Sequence, residues 1–251
     1  MHLEEFAGGS SLLHKLDPRI KLVAAFLFSL AAALADRPLV LAAGLAASVL
    51  LLFLARLPWA KVAYRLALVN VFIVLIWVFL PFSQPGRPWF HLAGLTASVE
   101  GVRLAAEITV KSNAIVLAII TLLSTSPIFA LVHALRHLYV PDKLVNLFFF
   151  TYRYFQVIHR EYLRLRAAMK VRCFRPRTDW HTYRSLAFLL GMLLVRSLDR
   201  AARVHQAMLC RGFDGRFWML DHFALKRRDL VFFGLMILLV AGMMAGPWMM
   251  G

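Results

Sequence analysis

Residues 39–55 read LVLAAGLAASVLLLFLA, seventeen consecutive positions with no charge and a single hydroxyl. An α-helix rises about 1.5 Å per residue, so a run of this length approaches what the hydrocarbon core of a bilayer requires. Four other runs are similar. Residues 22–35 follow Arg19 and Lys21 and stop at Asp36-Arg37-Pro38. Residues 66–82 carry Trp77 near their far end, where amphipathic rings favour the interface. Residues 104–125 contain Glu107, Lys111 and Asn113, and residues 230–248 end in Gly246-Pro247-Trp248. The expectation is an all-α, polytopic integral membrane protein with about five transmembrane helices. Hydrophobic residues make up 61% of the 251 and charged residues 17%. That balance excludes a disordered chain, a collagen-like fibre and a disulfide-stapled domain, and it disfavours a soluble enzyme.

Charge sets the expected orientation. The formal net charge is +16. In so apolar a chain, positive charge belongs on the cytoplasmic side of a membrane rather than on nucleic acid. With the amino terminus inside, Lys15, Arg19, Lys21, Arg56, Lys61 and Arg65 are cytoplasmic, while Arg37, Arg87 and Arg103 fall outside. The stretch 127–228 is then inside and holds 19 of the 29 basic residues. The carboxyl terminus is expected outside. Three regions follow: a four-span bundle (1–126), a cytoplasmic or interfacial coupling region (127–228) and a last span (229–251). The apolar runs 144–155 and 186–195 are bracketed by Arg and Lys and are too short to span as straight helices, although a count of six or seven spans stays open. The outer loop 83–101, with Pro85, Gly86, Pro88, Trp89 and Phe90, suits an interfacial turn. Ala33-Leu34-Ala35 resembles a cleavage site, but the preceding segment holds Glu4, Glu5 and Asp17, unlike a short basic leader, so retention is expected.

The coupling region reads as two long helices, from about Asp142 to Val171 and from about Thr182 to Cys210, with Pro176 stopping the first and Gly212 capping the second. Their ends are alike. Ala168-Met169-Lys170-Val171-Arg172-Cys173-Phe174 aligns with Ala207-Met208-Leu209-Cys210-Arg211-Gly212-Phe213, identical at Ala, Met, Arg and Phe. Leu165, Ala168 and Arg172 form one helical stripe, and Val204, Ala207 and Arg211 form its counterpart. An aliphatic residue, a small one and an arginine describe a knob for a groove with a carboxylate at its end. Two equivalent tips imply two equivalent receptors on a dimeric soluble partner. The competing reading, that an arginine near a helix end complements the helix dipole or binds anionic lipid, covers Arg160, Arg164, Arg166, Arg175, Arg177, Arg216, Arg227 and Arg228 better than Arg172 and Arg211.

On these residues the chain resembles the transmembrane T component of energy-coupling factor transporters, most closely the CbiQ type of cobalt and nickel uptake systems. The family carries two cytoplasmic signatures close to Ala-Arg-Gly, which here read Val171-Arg172-Cys173 and Cys210-Arg211-Gly212. Leu13-His14-Lys15-Leu16-Asp17-Pro18-Arg19-Ile20-Lys21 is similar to its amino-terminal segment. Arg153-Tyr154 with Glu161 resembles its first coupling helix, and Leu198-Asp199-Arg200-Ala201 leading into Gln206-Ala207-Met208 resembles its second. The resemblance implies an energy-coupling subunit of the bacterial inner membrane that joins a substrate-binding membrane protein for cobalt, or nickel, to two ATP-binding-cassette ATPases. Its docking residues would be Ala168, Val171, Arg172, Cys173, Ala207, Cys210, Arg211 and Gly212, with the arginines paired to ATPase carboxylates. A T component for a vitamin or other micronutrient is the alternative, ahead of a self-contained carrier or a membrane-bound enzyme.

Chemistry of its own is not expected. No Gly-x-x-x-x-Gly-Lys-Ser/Thr, His-Glu-x-x-His or Cys-x-x-Cys occurs, so ATP hydrolysis falls to partner subunits and no cofactor is implied. His133 and His137 share a helix face without an obvious third ligand, and His2 stands alone. Glu107 and Lys111, one turn apart, read as a local ion pair, with a substrate or proton path as the alternative. Asn113 suits an interhelical hydrogen bond. Met243, Met244, Met249 and Met250 read as packing rather than a soft-metal site. The small residues of spans one and two, Ala31–Ala33, Ala42, Ala43, Gly44, Ala46 and Ala47, permit close helix approach and are a candidate surface for the substrate-binding protein.

Overall fold

In lipid every backbone polar group must be satisfied internally, and a helix does this within one segment. The computed structural model describes residues 8–9, 11–83, 85, 87–92, 95–215 and 225–249. It holds eight α-helices: α1 (Pro18–Leu34), α2 (Pro38–Ala55), α3 (Trp59–Ser83), α4 (Val99–Leu123), α5 (Ile128–His137), α6 (Asp142–Val171), α7 (Trp180–Leu209) and α8 (Arg227–Met249). A short 3₁₀ turn, Leu13–Lys15, precedes them. The all-α expectation has one local exception, an antiparallel hairpin of β1 (Pro88–Leu92) and β2 (Leu95–Ser98) in the expected outer loop, with Leu92 opposite Leu95.

Local chemistry places the helix boundaries. Asp17 accepts from the Arg19 amide at 2.9 Å and Pro18 opens α1, a proline at the position whose N–H has no helical partner. Pro38 opens α2 in the same way, and Arg56 closes it in a left-handed conformation. Ser98 caps α4 through the Gly101 amide at 3.0 Å. Among the described residues, four helices are long and apolar enough to cross a bilayer: α2, α3, α4 and α8. The expected first span, α1, has 17 residues and reaches only about 25 Å at 1.5 Å per residue, the short end of the spanning range. α6 and α7 are 30-residue helices and do not qualify, because charges interrupt their apolar runs. α5 is the helix on which His133 and His137 were expected to share a face.

The chain divides into two compact units, Met1–Ala134 with Phe223–Gly251, and Leu135–His222. In the first, α4 is the hub and packs against α1, α2 and α3, while α8 packs against α1 and α2. Small side chains make this possible: Ala24, Ala25, Ala31 and Ala32 of α1 and Ala118 of α4 are buried in one cluster with Phe28 and Leu122. Gly44 faces Met243 of α8, so the small-residue stripe of α2 is split: Gly44 is buried, while Ala42, Ala43 and Ala46 stay exposed. Met243 is a packing residue, as expected, whereas Met250, the Met249 side chain and His2 lie outside the described residues. α3 presents Val71, Phe72, Val74, Leu75, Val78 and Phe79 outward, a face suited to lipid.

Polar groups join the helices at three levels. Asn70 of α3 and Asn113 of α4 exchange two amide hydrogen bonds of 3.1 Å, and Trp77 donates to Thr109 at 2.9 Å. Glu107 and Lys111 do not pair with each other. Glu107 accepts from Arg103 at 3.1 Å, one turn earlier on α4, and Lys111 reaches the end of α1 and the turn beyond it, at the Ala33 carbonyl (3.2 Å) and Asp36 (3.3 Å). The third level is a buried node. Lys21 has no exposed surface and donates to Ser126 at 2.8 Å and Thr125 at 3.2 Å, while buried Asp229 accepts from the Asp17 and Lys226 amides at 3.0 and 2.8 Å.

The tightest backbone approach is at Gly101, where an added Cβ would stand 2.8 Å from the Leu80 carbonyl oxygen and from Pro81 Cα. Backbone cannot step aside as a flexible side chain can. Gly101→Val should therefore destabilise the α3–α4 pair by about 1–3 kcal/mol, the usual cost of overpacking, read as a lower unfolding midpoint in mild detergent.

Candidate functional site

The repeated segment acquires a structural meaning in the second unit. At the end of α6, Phe174 N–H donates to the Met169 carbonyl (3.1 Å) and Cys173 N–H to the Lys170 carbonyl (3.0 Å). At the end of α7, Phe213 N–H donates to Met208 (3.1 Å) and Gly212 N–H to Leu209 (3.0 Å). Each is a Schellman cap, in which two bonds close the last turn and an apolar pair covers it. Met169 with Phe174, and Met208 with Phe213, occupy the two positions that form this apolar pair. All four are half-buried, whereas Ala168, Arg172, Ala207 and Arg211 are exposed. Two of the four repeated identities thus serve the cap, and the alanine and arginine are left for something outside it.

The cap also accounts for the one departure at its turn. The residue after each arginine is left-handed, with φ of 58° at Cys173 and 76° at Gly212. Glycine adopts this conformation without strain, and a side chain costs about 1 kcal/mol. α6 therefore ends at Arg172 through its cap, four residues before Pro176. Both arginines hold the last position of their caps. Neither guanidinium meets a carboxylate among the described residues. Val171 is 84% exposed, and Cys173 and Cys210 are exposed free thiols.

α6 and α7 cross at Glu161. Its carboxylate takes a hydrogen bond from Arg196 and lies 4.0 Å from Arg200, both of α7, and 3.5 Å from Arg164 of its own helix. The Arg196 hydrogen bond, helped by the positive charge of Arg196, Arg164 and Arg200, holds the Glu161 carboxyl below its ordinary value. Glu161 and Arg200 are 39 positions apart, as are Arg172 and Arg211. Each tip stands eleven residues beyond the crossing, about 16 Å along its own helix. The tips lie on opposite arms: a groove of about 830 Å³ joins the Arg172 end of α6 to the start of α7, and one of about 490 Å³ joins the Met208–Phe213 end of α7 to Phe150–Ile158 of α6. Each tip is tied back to the other helix, with Phe174 6.4 Å ring to ring from His181, and Asn146 donating to the Gly215 carbonyl at 2.9 Å.

Glu161 as the clasp is what the sequence reading left out. The signal was present: it is the one acidic residue between Asp142 and Asp179 in a strongly basic stretch. The histidine, cysteine and acidic residues form no metal-binding group among the described residues, and His133 is buried.

Fold and tips together define a class: a polytopic helical membrane protein whose second unit carries two arginine-ended helices, neither arginine being paired to a carboxylate among the described residues. The profile of the CbiQ family, described as cobalt transport protein, matches residues 9–219, and the chain belongs to that family of transporter membrane components. It is 27% identical over 270 residues to the energy-coupling factor transporter transmembrane protein EcfT of Bacillus selenitireducens, covering 98% of this chain and 97% of that one. It is 28% identical over 129 residues to the cobalt transport protein CbiQ of Rhodobacter capsulatus, about half of each chain (51% and 52%). A Methanocaldococcus jannaschii protein without assigned function is 28% identical over 178 residues, 69% of this chain and 66% of that one.

Two outcomes check this geometry. Cys173→Gly should relieve about 1 kcal/mol of backbone strain, raising hydrogen-exchange protection of the Phe174 amide about fivefold, whereas Gly212→Val should lower that of Phe213. The second concerns pH. Because the folded-state value of Glu161 lies below the unfolded one, its contribution is present above the ordinary carboxylate range and lost as pH falls through its lowered value. Distances between spin labels on α6 and α7 should broaden on acidification in the wild type. In Glu161→Gln they should already be broad at neutral pH and insensitive to acid.

Proposed function

We propose that the chain is the energy-coupling transmembrane subunit of an importer, transmitting ATP-driven motion of two cytoplasmic cassette ATPases to a substrate-binding membrane protein. The observation that carries this reading is the pair of capped helix ends, each presenting an exposed arginine that meets no carboxylate among the described residues. A guanidinium offers a rigid fork to a carboxylate, and two such forks on arms rigidly crossed at Glu161 make a two-point grip. A force applied at both tips is then carried through helices rather than loops. Membership of the CbiQ family supports the same reading.

The docking set is Ala168, Val171, Arg172 and Cys173 at the first tip and Ala207, Cys210, Arg211 and Gly212 at the second. The alanines permit close approach and the arginines supply the ion pair. Residues 127–228 form the coupling region, on the cytoplasmic side with the amino terminus, as the distribution of basic residues favours. The carboxyl terminus is outside and the bilayer is the bacterial inner membrane. The cargo is cobalt, with nickel the next choice, selected by the substrate-binding partner. ATP hydrolysis belongs to the ATPases, and nucleic acid has no part.

Truncating one partner of a desolvated charge pair costs about 2–5 kcal/mol. Arg172→Ala and Arg211→Ala should each weaken co-purification of the ATPases, lysine should rescue poorly at either site, and the double variant should abolish metal uptake. Full uptake and normal assembly in the double variant would overturn the reading. Omitting each partner in turn during cobalt and nickel uptake tests the cargo.

A further inference from the structure

The two tips share a backbone but not a charge. Displaced by 39 residues, Arg166 becomes His205, Lys170 becomes Leu209 and Arg175 becomes Asp214, while the methionine and phenylalanine of the cap and the arginine are unchanged. Residues 166–177 hold five cations and no acid; residues 205–216 hold two cations and one acid. The grooves differ in the same sense. The first is lined by Arg172, Arg175 and Arg177, with Asp179 the one carboxylate on its wall and Arg196 engaged by Glu161. The second is walled mainly by Tyr154, Ile158, Leu198, Ala201 and Val204; its one cation, Arg200, lies 4.0 Å from the Glu161 carboxylate, and His205 also lines it. Lys170, Arg175 and Arg177 have no ion-pair partner among the described residues.

Resting on the docking role proposed above, we propose that the two tips seat by different physics. The first binds an acidic surface of the ATPase pair broad enough to meet Lys170, Arg172, Arg175 and Arg177 together. The second binds a mainly apolar surface through one arginine, with Leu209 and Cys210 beside it. Exposed charge–charge attraction weakens as the Debye length shrinks with salt, and apolar burial does not. The first tip is therefore the arm that salt releases, and the second is the arm that holds.

The chain has two cysteines, and each flanks one tip, so the native thiols report the arms separately. The full chain is purified with its ATPases, and maleimide labelling is followed as salt rises from about 0.05 to about 0.5 M. Cys173 should label about tenfold faster at high salt, the range over which exposed charge pairs are screened, and Cys210 should change less than about twofold. Lys170→Leu with Arg175→Asp should flatten the response at Cys173, and Leu209→Lys with Asp214→Arg should confer it on Cys210. Parallel responses of the two thiols in the wild type would overturn the asymmetry while leaving the docking role intact. So would equal protection of Cys173 by phosphatidylglycerol vesicles without ATPases, since the first tip would then be a lipid site. If the ATPases protect neither thiol at low salt, the docking role fails and this inference with it. The wild-type labelling decides the matter even where a swapped variant does not assemble.

Discussion

An ammonium with no exposed surface has to be surrounded by oxygen, and Lys21 is in that position. The hydroxyls of Thr125 and Ser126 accept from it, and the carboxylates of Asp17 and Asp229 act on its charge. Those groups come from the start of α1, the segment after α4 and the start of α8, three places far apart in the chain. The node holds them at one level of the bundle, with Asp229 also receiving the Asp17 and Lys226 amides. The apolar helices above it, joined by alanine faces and by the Asn70–Asn113 amide pair, have no other buried lysine or arginine to place among the described residues. Dispersion between such faces is weakly directional in lipid, so the polar node supplies the register.

The second unit uses the same economy. Glu161 clasps three arginines at the crossing of two 30-residue helices, and identical caps finish both arms. Exposed ion pairs contribute little singly, but a shared carboxylate in a network fixes an angle between helices. The caps keep the last turn from fraying, which gives Arg172 and Arg211 defined positions at the ends of stiff rods. Rigidity of this kind is what the coupling role proposed above would need, because a flexible tip would dissipate a push.

One expected pairing was overturned. Glu107 and Lys111 are one turn apart and looked like partners, yet each found a nearer charge: Arg103 on the same helix and Asp36 beyond the end of another. The first long helix ends at Val171, where it was expected to, but its own cap closes it rather than Pro176. The methionine and phenylalanine of the repeat carried no role in the sequence, and in the structure they close the helix ends. Sequence spacing shows which groups are able to meet along one element; competition from groups on other elements decides which do.

Hydropathy alone determined that the chain is helical and polytopic, since a run such as 39–55 has no other way to satisfy its backbone in a bilayer. The repeat at residues 168–174 and 207–213 likewise marked the two tips, because equal side chains at equal helical spacing build equal ends. Only the tertiary structure assigned Lys21, Thr125, Ser126 and Asp229 to one node, Asn70 to Asn113, and Glu161 to Arg196 and Arg200. These contacts join residues 35 to 212 positions apart or depend on a crossing angle, and long-range pairing leaves no period in a sequence to be read.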